Sequence, residues 1–363
     1  MGEEQTFWKL KGNRVEEYAG IKFQELYAYY SNRLSYSEVE NLVERMTGEK
    51  QLSDQGIWAG VKEKVAEISQ EIVRQVKPIL EQIPDQELKV NPQIDLYNPQ
   101  QEEILLFEDG ILVKEQKAER ESRTQLHKLR KKPSTEDRSQ KFYQTDVVLL
   151  QKAKGGYEYM TTPIDAQGKV ILSLAEVLKA KVIQEYGLGT SERPLNLVAI
   201  ADGAKSIRCR MTSVFGEQVT MILDWYHLSR KVRKLMGSVT RNQAEKSEHL
   251  KFLLSNLWQG KVAIAIEYLQ DQVKTKKPKV LEELINYLSK HQEEIINYQR
   301  RQKVGKPIGS GRVEKAVDLV VGRRQKKKGM SWSAKGSQAL AVLRVAELNH
   351  QWGAIFGMET SAL

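Results

Sequence analysis

Three acidic residues occur at positions from which their carboxylates could act together in chemistry. Asp202 directly follows the apolar run 198–201, Asp109 lies within a β-rich stretch, and Glu314 opens a helical stretch after a glycine-rich step. Carboxylates that meet in a fold repel one another unless a proton or a cation neutralises them. Mg²⁺ prefers oxygen ligands, and two such ions about 3.5–4 Å apart promote attack on a phosphodiester. We therefore expect Asp109, Asp202 and Glu314 to be catalytic and to bind Mg²⁺, with Mn²⁺ as the alternative ion.

Each acid also has an ordinary structural interpretation. The Asp-Gly pair that begins at Asp202 is typical of a turn, and an acid near a helix start, such as Glu314, is favoured by the helix dipole. Of the three acids, the first is the one for which the sequence offers rival residues. Asp146, in "YQTDVVLL", is its rival, and Glu108 lies on the opposite face of the same strand. Asp109 is preferred because three strands must lie between it and the first helix, and Asp146 would leave too few.

The sequence pattern also predicts the elements that position these acids. The predicted order is strand, strand, strand, helix, strand, short helix, strand, helix. The segments are 103–117, then two strands within 142–163 joined at Gly155-Gly156, a helix at 172–187, and strands at 195–202 and 220–228. This order is that of a ribonuclease H-like mixed sheet, in which the first strand lies beside the fourth. Asp109 and Asp202 then become neighbours, and the helix of Glu314 crosses the sheet edge towards them.

The residue pattern of the N-terminal part is helical and differs from that of the core. Residues 1–81 are predicted to be an all-α domain that contains a helix-turn-helix at about 35–68. Ser35 or Ser37 would cap its first helix, Gly48 would end that helix, and Leu52-Ser53 would start the second. An ordinary helical hairpin is the alternative interpretation of this segment.

The rest of the chain divides by composition. Residues 82–101 carry three of the nine prolines and are predicted to be a linker. Residues 102–228 would form the first part of the α/β core, 229–305 a helical insertion, and 306–363 the completion of the core with the Glu helix and a basic C-terminal segment. We therefore expect an α/β fold with a helical insertion, preceded by an all-α domain.

Charge and cysteine content limit the class of protein. The net charge is +10 and the pI is about 9.3, a balance that favours a polyanionic partner such as nucleic acid. The single cysteine, Cys209, excludes a disulfide framework within the chain and is expected to be an inert core residue. No apolar run is long enough to span a membrane. We expect a cytoplasmic protein that binds double-stranded DNA and no membrane.

Several basic residues are candidate contacts to DNA phosphates. The candidates are Lys205, Arg208, Arg312, Arg323, Arg324, Lys326, Lys327 and Lys328. The segment 123–132, "RTQLHKLRKK", is a further candidate, with solvated loops as the alternative. Trp332 could stack on an unpaired base or pack under the last helix.

The motifs "IADGAKSIR", "ILDWYHL" and "IGSGRVEKAVDLVVGRRQKKKGMSWSAKGSQALAVLRV" resemble those of bacterial insertion-sequence transposases related to the Mutator-like group. The resemblance covers roughly residues 100–357. It implies a ribonuclease H-like DDE domain with a helical insertion before the Glu helix. Its first acid falls on Asp109, its second on Asp202 and its glutamate on Glu314. The family's acid, two residues, histidine element falls on Asp224 and His227, to which we assign a supporting role.

The resemblance implies a nucleoid-associated transposase. Its N-terminal domain would recognise the terminal inverted repeats of its insertion sequence. Its core would hydrolyse DNA at the element ends with Mg²⁺ and join the freed 3′-hydroxyl to target DNA. Bringing two ends together implies a homodimer or a higher oligomer on DNA. The alternatives are a non-catalytic DNA-binding regulator, a decayed copy, and a ribonuclease H-like nuclease without a joining step.

Overall fold

The computed structural model of the chain describes residues 20–82, 88–116, 142–327 and 329–357. The basic segment 123–132 and Lys328, both predicted to contact DNA, lie outside these residues. Within the described ranges, no helix combines the length and the apolar character that a membrane crossing requires.

A five-stranded mixed sheet lies at the centre of the fold. Its strands are β1 (Ile104–Lys114), β2 (Phe142–Gln151), β3 (Tyr157–Met160), β4 (Leu197–Ala201) and β5 (Thr220–Leu223). Their order across the sheet is β3-β2-β1-β4-β5. β1 pairs antiparallel with β2 and parallel with β4, and β4 pairs parallel with β5. The predicted α/β class and the predicted order of strands are therefore confirmed.

Alternation of side chains explains why these strands form one sheet with two covered faces. Successive residues of a strand point to opposite faces. In β4, Val198 and Ile200 join one hydrophobic cluster, whereas Leu197, Ala199 and Ala201 join a second cluster on the other face. A strand buried on both faces reads as a continuous apolar run. We call the side of Val198 and Ile200 the first face and the other side the second face.

Two helices cover the second face. They are α4 (Leu174–Tyr186) and α5 (Lys205–Phe215). The side chain of Ser173 accepts a hydrogen bond from the Glu176 N–H, and the Glu176 carboxylate accepts one from the Ser173 N–H, so α4 begins with a complete capping box. The apolar side chains of both helices belong to the cluster on this face.

The N-terminal helices follow the predicted limits. They are α1 (Ile21–Ser31), α2 (Tyr36–Thr47) and α3 (Asp54–Glu81). Ser35 caps α2, Gly48 ends it, and Ser53 caps α3. α3 packs against α4 and against a C-terminal helix. Its residues Ile57, Val61, Val65 and Ile68 share a cluster with the first face of the sheet, whereas Val76 joins the cluster of the second face. The segment 35–68 is thus a helical pair packed on the core, and its DNA-binding role stays a prediction.

The predicted linker also packs on the core. Leu88 and Val90 are buried, and Val90 forms a bridge with Leu195 beside the start of β4. The buried guanidinium of Arg301 donates to the Leu96 carbonyl and to Glu103. The part of 82–101 that the structure describes is therefore anchored, which its proline content did not predict.

The segment 229–305, predicted to be a helical insertion, contains helices and no strand. Its helices are α6 (Trp225–Val239), α7 (Gln243–Trp258), α8 (Val262–Asp271), α9 (Pro278–Lys290) and α10 (Tyr298–Lys303). The Tyr298 hydroxyl donates to the Leu223 carbonyl at 2.7 Å, and the Leu223 N–H donates to the Glu294 carbonyl at 3.0 Å. The insertion is thereby fixed to the end of β5.

The chain returns to the sheet after the insertion. The returning elements are α11 (Gly311–Val317), a π-helical turn (Asp318–Gly322), α12 (Arg323–Gln325), α13 (Ala334–Leu348) and α14 (Trp352–Ile355). α11 packs on β1 and β2, and its residues Val313, Ala316 and Val317 join the cluster of the first face. This position brings the start of α11 to the carboxyl end of β4.

Candidate active site

Asp109 lies in β1, and Asp202 directly follows the end of the neighbouring strand β4. β1 and β4 run parallel with Glu108 opposite Ala201, which brings the residues that follow this pair, Asp109 and Asp202, close together. Neighbouring strands are about 4.8 Å apart. Asp109 continues the alternation of the first face, since Phe107, two residues earlier, points to that side. The register of β1 and β4 agrees with the predicted juxtaposition of Asp109 and Asp202.

Glu314 reaches the same face by way of a hydrogen-bonded relay. Asp224 follows β5, and its backbone N–H donates to the Ala201 carbonyl at 2.8 Å. The Asp224 carboxylate accepts a hydrogen bond from the Ser310 backbone N–H. The Ser310 carbonyl in turn accepts from the Glu314 N–H at 3.1 Å. The start of α11 is therefore tied to the strand ends that precede Asp202.

The electrostatics of Asp109 reflect this gathering of charge. Burial raises the pKa of Asp109, a hydrogen bond from the Gly110 N–H lowers it, and the negative charges of Asp202 and Glu314 raise it again. His227 opposes them by lowering the pKa of Asp109. The three predicted acids and His227 therefore lie near enough to act on one another.

The donor set agrees with a hard cation in chemistry, although its side chains do not converge. No group of three or more His, Cys, Asp or Glu residues in the described ranges is arranged to hold a metal ion. Asp109 Oδ1 accepts a hydrogen bond from the Gly110 N–H within β1, and Asp202 Oδ1 accepts one from the Ala204 N–H. Within the described part of the chain, neither these acids nor Glu314 forms an ion pair. Carboxylate oxygens without a basic partner are the ligands that Mg²⁺ prefers.

The buried Asp224 and the partly exposed His227 form a pair beside the acids. Asp224 caps α6, and its Oδ1 accepts from the His227 N–H at 2.6 Å and lies 3.2 Å from His227 Nδ1. Burial raises the pKa of Asp224, but the hydrogen bonds from His227 and Ser310 bring it below its ordinary value. The hydrogen bond to Asp224 raises the pKa of His227. This geometry makes Asp224 a residue that can position both His227 and the start of α11.

The second face carries acids that sequence reasoning ranked as rivals. Arg210 of α5 forms ion pairs with the buried Glu108 and, at 2.9 Å, with Asp146. Asp146 and Glu108 thus lie across the sheet from Asp109 and are compensated by a guanidinium. Sequence reasoning placed Glu108 on the opposite face but did not identify Arg210, because nothing local in α5 marks its partner.

A cluster from the insertion packs against the Asp202 turn. His291 is buried, its Nδ1 lies 2.6 Å from Glu294 Oε2, and the Arg208 guanidinium contacts both residues. A Cβ placed on Gly203 would lie 2.8 Å from His291 Cε1. Sequence reasoning assigned Arg208 to DNA and did not consider the other two, which are distant in sequence. The insertion therefore supports the residue that follows Asp202.

The predicted DNA contacts divide by exposure. Lys205, Lys326 and Lys327 are exposed, with the Lys327 ammonium donating to the Arg33 carbonyl at 3.1 Å. Arg312 is also exposed, and its guanidinium lies over the rings of Phe107 and Tyr157. The exposed Arg323 pairs with Asp318 at 3.0 Å. These five remain accessible to a phosphate.

Two other predicted contacts are buried. Arg324 is 4% exposed and donates to the Ser31 carbonyl, while Trp332 is 9% exposed and donates from Nε1 to the Gln325 carbonyl. The Arg324 guanidinium lies 4.7 Å from the centre of the Trp332 ring. The two side chains join the C-terminal segment to the N-terminal helices and do not face solvent. Both side chains therefore pack within the protein, as the alternative for Trp332 expected, and their contact with DNA stays a prediction.

The expectation for Cys209 is wrong. Its side chain is exposed, because the buried face of α5 is formed by Ile207, Met211, Val214 and Phe215. Residue 209 lies between two of these positions and turns to the other side of the helix.

A family model described as "Uncharacterised protein family (UPF0236)" matches residues 164–356, more than half of the chain. The chain belongs to this family. No curated protein matches it. The UPF0236 match includes Asp202, Asp224, His227 and Glu314, whereas β1 with Asp109 lies before it.

Proposed function

We propose that this UPF0236 chain is a DDE-type transposase with a ribonuclease H-like core, which cleaves DNA with Mg²⁺ and joins the freed 3′-hydroxyl to a target. The observation that carries the proposal is the sheet order β3-β2-β1-β4-β5. This order sets Asp109 beside Asp202 on the face crossed by the helix of Glu314. The resemblance of the motifs around Asp202 and Glu314 agrees with it, as does the net charge of +10.

In this proposal the carboxylates of Asp109, Asp202 and Glu314 hold the ion. Bound Mg²⁺ would supply activation of the attacking oxygen and stabilisation of the leaving oxygen. Asp224 keeps His227 and the start of α11 in position through its hydrogen bonds. Since two element ends must be brought together, the active form would be a homodimer or a higher oligomer on DNA.

Cleavage of a labelled duplex that carries the sequence flanking the gene tests the proposal. Wild type with Mg²⁺ is expected to cut at the element boundary and to give a strand-transfer product. Asp202→Asn should bind the same duplex and fail to cut. Asp271→Asn is the matched control, because Asp271 is an exposed residue at the end of α8.

The other outcomes separate the alternatives. If wild type binds the duplex but does not cut it with any divalent ion, the result would favour a DNA-binding regulator or a decayed copy. Cutting without a joined product would favour a ribonuclease H-like nuclease. Equal cutting by wild type and Asp202→Asn would contradict the assigned acids.

A further inference from the structure

Helix α6 carries a strong excess of positive charge on one exposed side. Its sequence, WYHLSRKVRKLMGSV, contains four Lys or Arg residues and no Asp or Glu. Arg230, Arg233 and Lys234 are exposed, and in the described part of the chain none of them forms an ion pair. None lies in the last turn of α6, where the helix dipole would favour a cation. The dipole therefore does not explain them.

These three cations share one face of the helix. At 100° per residue, Arg230, Arg233 and Lys234 fall within about a third of the helix circumference. Tyr226, 56% exposed, begins the same face. The opposite side of α6 is buried in the insertion. We call Arg230, Arg233 and Lys234 the α6 basic face.

The α6 basic face starts at the candidate active site. Asp224 caps α6, and His227, in its first turn, interacts with Asp109. With a rise of 1.5 Å per residue, Lys234 lies about 10 Å along the axis from His227. The face thus extends outward from the acids.

The cations of the α6 basic face have no acidic partner in the described part of the chain, whereas a neighbouring cation on the flank of the helix has one. Lys231, on the flank, pairs with Glu283 of α9 at 2.6 Å. Farther along, Lys246 Nζ would lie 3.1 Å from a Cβ placed on Gly237. A second helix, α7, therefore adds a positive group beyond the α6 basic face.

We propose that the α6 basic face binds the phosphates of double-stranded DNA and directs the duplex into the candidate active site. The identity of the partner as DNA rests on the proposed function. Charge complementarity supports it, because exposed cations without acidic partners can neutralise DNA phosphates and release the counterions condensed on the duplex. This surface is distinct from the DNA contacts predicted around Lys205, Arg312 and Lys326.

The test is the affinity of the full-length chain for a fluorescein-labelled duplex, measured by anisotropy over a salt series in EDTA. The variant is Arg230→Gln/Arg233→Gln/Lys234→Gln. Its matched control is Lys89→Gln/Lys154→Gln/Arg193→Gln. These three control residues are exposed and lie near the opposite ends of β1 and β4 from the acids.

We expect the α6 variant to bind roughly 10–100-fold more weakly at low salt, with a salt slope smaller by about 2–3. The control should lose less than about threefold. The charge-conserving variant Arg230→Lys/Arg233→Lys should bind as wild type does. Circular dichroism would show that each variant is folded.

Equal losses in the α6 variant and in the control would overturn the proposal, as would an unchanged salt slope in the α6 variant. A stronger loss on anionic vesicles than on DNA would also overturn it in favour of a membrane surface. EDTA separates this inference from cleavage. If wild type cuts DNA in an Asp202-dependent way and the α6 variant binds DNA normally, only the inference about the α6 basic face is wrong. If the α6 variant loses DNA binding and wild type does not cut, only the proposed catalysis is wrong.

Discussion

Alanine at Gly203 is expected to disturb the turn that carries Asp202. Gly203 has φ +84°, and a Cβ there would lie 2.8 Å from both His291 Cε1 and Leu223 Cδ1. The His291 ring cannot move away freely, because it is buried and contacts Glu294 and Arg208. The turn and the insertion would therefore have to shift together.

The magnitude follows from a comparison with Gly48. Gly48 has φ +77° and open space around its Cβ position, so Gly48→Ala carries the left-handed backbone cost of about 1–2 kcal/mol. Gly203→Ala adds overpacking of about 1–3 kcal/mol. We expect losses in the free energy of unfolding of about 2–5 kcal/mol for Gly203→Ala and about 1–2 kcal/mol for Gly48→Ala.

Urea unfolding followed by tryptophan fluorescence measures the two losses, and cleavage at equal folded fractions measures the effect on the site. Gly203→Ala should cut more slowly than Gly48→Ala. Equal unfolding losses would refute the packing of His291 on Gly203. A destabilised Gly203→Ala that cuts at the wild-type rate would show that this turn does not position Asp202.

Three further substitutions probe the charges. Asp109→Asn should raise the melting temperature in EDTA at pH 7, because the raised pKa of Asp109 means that its ionised form costs stability; the gain should vanish below about pH 3.8. Arg210→Met should lower the free energy of unfolding by about 3–5 kcal/mol, since Glu108 would lose its buried partner; the loss should shrink in acid. Asp224→Asn should lower the pKa of His227, because their hydrogen bond raises it, as an NMR titration of the imidazole would show; an unchanged pKa would contradict the pairing.

Much of the fold could be predicted from local pattern. Ser35, Gly48 and Ser53 marked the helix ends, because capping is a property of a few adjacent residues. The strand order also followed, since connection rules leave few topologies for this succession of elements. The anchoring of residues 88–101 could not be predicted, because it depends on partners such as Leu195 and Arg301, which are distant in sequence.

Less of the candidate site than of the fold could be predicted from the sequence. Asp109, Asp202 and Glu314 could be proposed because the register and one helix bring them together. The two clusters around Arg210 and His291 could not, since each joins residues of separate elements whose side chains meet only after packing. Arg324 shows the reverse problem: a basic run in sequence does not reveal which of its members turns inward.

Strand alternation places the acidic side chains of the sheet on different faces, and this distribution is relevant to cation binding. Glu108 and Asp146 lie on the second face, where Arg210 forms ion pairs with both, although burial and the charge of Asp202 still raise the pKa of Asp146. Asp109 lies on the first face, where among the described residues His227 is the basic group whose charge acts on it. Asp202, which follows β4, raises the pKa of both Asp109 and Asp146. In the proposed function, a bound cation would offset the repulsion by Asp202 and Glu314 that raises the pKa of Asp109.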